Sequence, residues 1–162
     1  MPRKYSPANL LPALRVFVVA RRKALDAGFT DNGGAIHSIE RVVDLLSEAI
    51  VYPHLTHINS LKKDPNADCS VNAHRARELG QDVLIEHVAP KRDYSRSICN
   101  LIEKHHATDD ELINYISANY QLVLLTPEET KRLNKINRTK TSPTRLEDAG
   151  IILYSEKTVY KK

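Results

Sequence analysis

An acid and a histidine, Glu86 and His87, stand side by side where an apolar run (Val83, Leu84, Ile85) approaches Pro90. A carboxylate oxygen is a ligand for a hard divalent cation. An imidazole, whose pKa lies near working pH, takes a proton from an attacking water. A metal between them would stabilise charge on a phosphate and on the leaving oxygen. The chemistry these residue types suit is metal-assisted hydrolysis. Along an ideal strand the two side chains point to opposite faces, so they converge only if the strand twists or ends at the proline. In the plainer alternative Glu86 forms a surface pair with Lys91 or Arg92, and His87 closes a loop.

A second apolar run, residues 122–125, leads through Thr126 and Pro127 into a helix-forming stretch rich in asparagine and basic residues. There Asn134, Asn137 and Arg138 fall at i, i+3 and i+4 and share one face, while Leu133 and Ile136 lie on another. One face is therefore available to dock and the other to meet a ligand. Asn137 equally suits the end of the helix. Lys131, Arg132, Lys135, Arg138, Lys140 and Arg145 concentrate positive charge around this helix and its following loop, and Lys91, Arg92 and Arg96 follow the histidine. If the two strands pair, these groups flank one phosphate-tracking groove. Tyr94 and Tyr120 offer base stacking if exposed and core packing if not.

Taken together, Glu86-His87-x-x-Pro90, the later Asn119, and Asn137, Arg138, Thr139 and Lys140 resemble the HNH nuclease family over about residues 83–141. The resemblance implies a metal-dependent endonuclease hydrolysing phosphodiester bonds in DNA, with Mg2+ or another divalent metal as cofactor. It implies His87 as general base, Asn119 as the residue that orients it, and Glu86 with Asn137 or Asn134 as metal ligands. It also implies that Lys140 contacts phosphate. Two departures stand out: Glu replaces the commoner Asp, and a helical insertion separates the two halves. More broadly, Glu-His-x-x-Pro, then Leu-Thr-x-Glu-Glu and a closing Ala-Gly-Ile, is similar to small bacterial or phage proteins. Two other readings stand beside the nuclease. One is a non-catalytic nucleic-acid-binding or regulatory module using the same basic surface. The other is an interaction factor whose helical first half binds a partner protein.

Other reactive residues carry less. His54 and His57 lack a third ligand, His105 and His106 close a helix where a cation suits the macrodipole, and His74 reads as solvent-facing. Ser95, Ser97 and Cys99 sit in no nucleophile-elbow context. Cys69 and Cys99 form no C-x-x-C pair, which excludes a zinc knuckle or a disulfide framework. The run Arg21, Arg22, Lys23 reads as a solvated face.

The elements that would position these residues follow from periodicity and punctuation. A first helix ends at Gly28, with Pro12 placing its cap at Asn9 rather than Ser6. A turn at residues 31–34 precedes a helix with Ile36, Ile39, Val42, Val43, Leu46, Ala49 and Ile50 inward, ended by Pro53. Residues 54–68 read as loop and 69–79 as a third helix stopped by Gly80. Then come a strand at 83–88, a basic loop at 91–93, and a helix at 94–106. A helix opened by the capping-box spacing Thr108 to Glu111, a strand at 120–125, and a helix opened by Thr126 with Glu129 at its third position follow. A short helix after Ser142-Pro143, a last strand at 151–154 and a polar tail complete the chain. The fold class expected is α+β and mostly helical. A helical subdomain (1–80) precedes an α+β subdomain (81–162) with a short two- or three-stranded sheet. With 41% hydrophobic and 27% charged residues in 162, the chain suits a globular domain with a real core. Its net charge of +4 fits a nucleic-acid partner only modestly. The longest apolar run, residues 16–20, is far short of a membrane span, and a cytoplasmic location is the expectation.

Overall fold

A computed structural model describes residues 3–155. In chain order the elements are α1 (Pro7–Asp26), α2 (His37–Val51), α3 (Val71–Glu78), β1 (Leu84–His87), α4 (Lys91–His105), α5 (Asp109–Asn119), β2 (Leu122–Leu125), α6 (Pro127–Ile136) and α7 (Arg145–Asp148). A tight turn, Asp31–Ala35, joins α1 to α2, and a 3-10 helix, Ile58–Lys63, precedes α3. The protein is α+β and mostly helical, with a two-stranded antiparallel sheet. No helix of the described residues is long and apolar enough to cross a membrane. The polar tail beyond residue 155 lies outside the described residues.

The chain forms two compact units, each built from two separate stretches. The helical unit comprises Met1–Thr56 with Lys91–Tyr120, and the mixed unit His57–Pro90 with Gln121–Lys162. The boundary expected at residue 80 therefore falls inside the mixed unit. The reason is pairing: β1 and β2 are sheet neighbours although α4 and α5 intervene in sequence, and those helices pack on α2 instead.

In the helical unit, Leu10, Leu11, Leu14 and Val18 of α1 are buried, as are Ile39, Val42, Val43 and Leu46 of α2, and the two helices pack together. Ser6, rather than Asn9, is the N-cap of α1, so Pro7 takes the first helical position and Pro12 lies inside the helix. Asn9 still serves this end, because its Oδ1 accepts the Ser6 N–H at 2.9 Å. Residues 91–93, expected as loop, form the first turn of α4.

In the mixed unit, every residue of β2 is buried, as a short continuous apolar run predicts for a strand covered on both faces. Its register with β1 pairs Leu84 with Leu125, Ile85 with Leu124, Glu86 with Val123 and His87 with Leu122. Val123 and Leu125 join Leu133 of α6, Ala149 and Ile151 in one apolar cluster. Residues 151–154 make an isolated bridge, Ser70 to Leu153, rather than a full strand. Both helices flanking this core begin with a capping hydroxyl. Ser70 Oγ accepts the Ala73 N–H at 2.9 Å and Thr126 Oγ1 the Glu129 N–H at 3.2 Å. The buried Glu129 carboxylate links them, accepting from Ser70 Oγ at 2.6 Å, Asn72 Nδ2 at 3.0 Å and the Thr126 N–H at 3.0 Å.

Candidate nucleic-acid interface

Glu86 and His87 lie within β1 and keep to opposite faces. Glu86 pairs with Val123, whose face packs on α6, and His87 pairs with Leu122 on the other face. The ladder continues past them, with the Val88 N–H donating to Gln121 O at 3.0 Å, so no strand ending at this point turns the two side chains together. Glu86 is half-buried, and burial pushes its carboxyl above the usual carboxylate range, opposed by His87, Thr130 and Arg145. Thr130, on α6, lies close enough to favour the charged carboxylate. Even so, its buried hydroxyl has no hydrogen bond of good geometry.

The asparagines are placed on and after α6. Asn134 is exposed on the helix. Asn137 caps the C-terminus of α6: its N–H donates to Leu133 O at 2.8 Å, and its Oδ1 accepts the Lys140 N–H at 3.0 Å. Asn119 belongs to the helical unit, where its Nδ2 donates to Tyr115 O at 2.8 Å in the last turn of α5. Among the described residues, no group of three or more His, Cys, Asp or Glu side chains gathers where it could hold a metal ion. Glu86 is the single charged donor of the ligand set expected from sequence, which is a poor set for a hard cation that draws on several oxygen ligands.

The cations expected to contact nucleic acid fall into two groups. Lys91, Arg92 and Arg96, all in the first turns of α4, each meet a carboxylate of the helical unit. Lys91 Nζ lies 2.8 Å from Asp44, Arg92 Nε 2.7 Å from Glu40, and Arg96 Nε 3.0 Å from Asp31. They fasten α4 to α2 and to the Asp31–Ala35 turn. Asp31 also takes both Nε and Nη2 of the buried Arg21, at 2.8 and 2.9 Å. These guanidiniums hold its carboxyl down at about 2, the Arg21 hydrogen bonds contributing most.

On α6 the pattern differs. Lys131 and Lys135 are one turn apart and exposed, Arg138 is exposed just past the helix end, and Lys140 stands in the turn that Asn137 closes. None of the four meets a carboxylate within ion-pairing distance among the described residues. Arg132 Nε instead donates to Ala149 O at 2.6 Å. The exposed acid of α6, Glu128, lies in its first turn, where the helix dipole favours it and away from the basic end.

Tyr94 and Tyr120 pack in the core of the helical unit, with ring centroids 5.7 Å apart, and so are not stacking platforms. His74 is not simply solvated; it stacks on Tyr154 at 3.7 Å. Cys69 and Cys99 are buried free thiols, and burial pushes Cys99 up to about 11. Sequence reasoning missed Arg145, taken as one more loop cation. It is 3% exposed, and its guanidinium reaches three backbone carbonyls: Asn137 O at 2.9 Å, His87 O at 2.8 Å and Val88 O at 3.1 Å. Its apolar surroundings in sequence (Leu146, Ala149, Ile151) were the available signal. No family model matches the chain, and no curated protein or solved structure matches it either.

Proposed function

We propose that this protein is a nucleic-acid-binding module whose contact surface is the basic end of α6 and the turn that follows it. The observation that supports this is the absence of carboxylate partners for Lys131, Lys135, Arg138 and Lys140 among the described residues, while cations of the helical unit such as Lys91, Arg92 and Arg96 are matched. Unmatched cations clustered at one helix end neutralise phosphates and release counterions. Contacts of this kind position a protein on the backbone and carry no base sequence. Fluorescence anisotropy with a labelled DNA duplex across a salt series tests it. Binding should weaken linearly on a log–log plot, and each of the four residues removed should lower the slope by about 0.9. Equal binding by wild type and a Lys131→Ala, Lys135→Ala, Arg138→Ala variant would overturn the proposal.

A DNA endonuclease remains a second reading, supported by one observation: β1, β2 and α6 follow in strand–strand–helix order within one unit and carry Glu86, His87, Asn134 and Asn137. It requires DNA cleavage with Mg2+ or Mn2+ that is lost in His87→Ala. Equal cleavage by both proteins, or none by either, rules it out.

A further inference from the structure

We propose that the cavity lined by Arg145 binds a small monocarboxylate bearing an apolar chain. The two buried guanidiniums among the described residues are satisfied differently. Arg21 closes on the carboxylate of Asp31 through two nitrogens. Arg145 is just as buried, yet its Nε and Nη1 meet only neutral carbonyls, and Nη2 has no hydrogen-bond partner among the described residues. Glu86 acts on it only from beyond ion-pairing distance. A buried cation without a counterion is costly, and a charge-assisted hydrogen bond from a carboxylate relieves that cost.

Nη2 is not fully enclosed, and Arg145 lines a cavity of about 410 Å³. That volume lies in the range of small-molecule sites. The rest of the wall is mainly apolar, with Val88, Leu146, Ile151 and Ile152, which suits an alkyl or aryl chain. Glu147 at the same cavity argues for a ligand with one negative charge, since it repels a phosphate dianion. The carbonyls that hold Nε and Nη1 fix the guanidinium plane, so little ordering of this side chain is needed on binding. This inference does not rest on the nucleic-acid reading, although Arg145 holds the α6 cap through Asn137 O.

The test is 1H–15N NMR titration of the whole chain with sodium octanoate and, as the neutral match, octanamide. Octanoate should saturate, shifting Arg145 Nε and the amides of Leu146 and Ile152, and octanamide should bind roughly tenfold or more weakly. Arg145→Lys should abolish the preference for the acid. Because that variant also loses the carbonyl contacts, Ile152→Asp gives a second arm. Ile152 is 66% exposed, so its substitution spares the fold while placing a negative charge at the cavity. It should weaken octanoate roughly tenfold and leave octanamide unchanged. Equal affinity for acid and amide, shifts elsewhere on the protein, or no saturation overturns the proposal. Saturation by the free acid of an acetylated Val-Ile-Leu peptide but not by octanoate would assign the site to a chain terminus and overturn the small-acid reading.

Discussion

In the helical unit the side chains of Arg21, Arg92 and Arg96 each close on a carboxylate, and so does Lys91. In the mixed unit Lys131, Lys135, Arg138 and Lys140 close on none among the described residues, and the buried Arg145 closes on carbonyls alone. Both sets look alike in sequence, as basic residues beside an apolar run. What separates them is whether another element brings an acid within reach. At Lys91, Arg92 and Arg96 positive charge joins helices, and at the end of α6 it stays exposed. A count of lysine and arginine therefore overstates the surface open to a polyanion.

The comparison breaks most visibly at Asp31. Asp31→Ala leaves Arg21 buried without its partner and should cost about 3–5 kcal/mol, measured by urea denaturation. The same carboxyl gives a pH signature. Its value is held at about 2 against an ordinary 3.8, so its contribution is present above 3.8 and is lost as pH falls from there to about 2. The acid limb of the stability profile should be shallower in Asp31→Asn over that window. Next in size is Glu129→Ala in the mixed unit. It removes the acceptor shared by Ser70, Asn72 and Thr126 and leaves buried donors unpaired, costing about 2–3 kcal/mol by the same assay.

Smaller effects sharpen the contrast. Lys91 is partly exposed, so Lys91→Ala should cost less than about 1 kcal/mol and leave the salt slope of DNA binding unchanged. If that slope falls as far as it does in Lys131→Ala, the distinction between the units fails. Smallest in stability is Lys131→Ala with Lys135→Ala and Arg138→Ala, expected within about 0.5 kcal/mol of wild type by thermal melting. Its effect should appear in DNA affinity alone.

Features whose partners lie within one helical turn were legible in sequence. Thr108 with Glu111 and Thr126 with Glu129 read as capping boxes, and both are present. The second role of Glu129 was not legible, because Ser70 stands 59 positions away. The start of α4 was misread as loop for a related reason. Nothing beside Lys91 marks a cap, and its first turn is held by Asp44 and Glu40 of α2, which no local pattern reveals. Pro12 pointed to a cap at Asn9, yet Ser6-Pro7 is the stronger local start and the helix runs through Pro12. Of the candidate site, the alternation that sets Glu86 and His87 on opposite faces follows from strand geometry alone. The buried setting of Arg145 does not, since its acceptors are backbone carbonyls, which every residue carries.

The interleaving of the two units sets an order of events during synthesis. β1 leaves the ribosome before α4 and α5, and its partner β2 follows only after both. Until residue 125 has emerged, Leu84 and Ile85 have no strand to pair with, and the hydrogen-bonding edge they present stays open. Residues 91–120, which α2 needs to cover its inner face, are complete before that moment. All residues of the helical unit are therefore available before the sheet that bears Glu86 and His87 can pair.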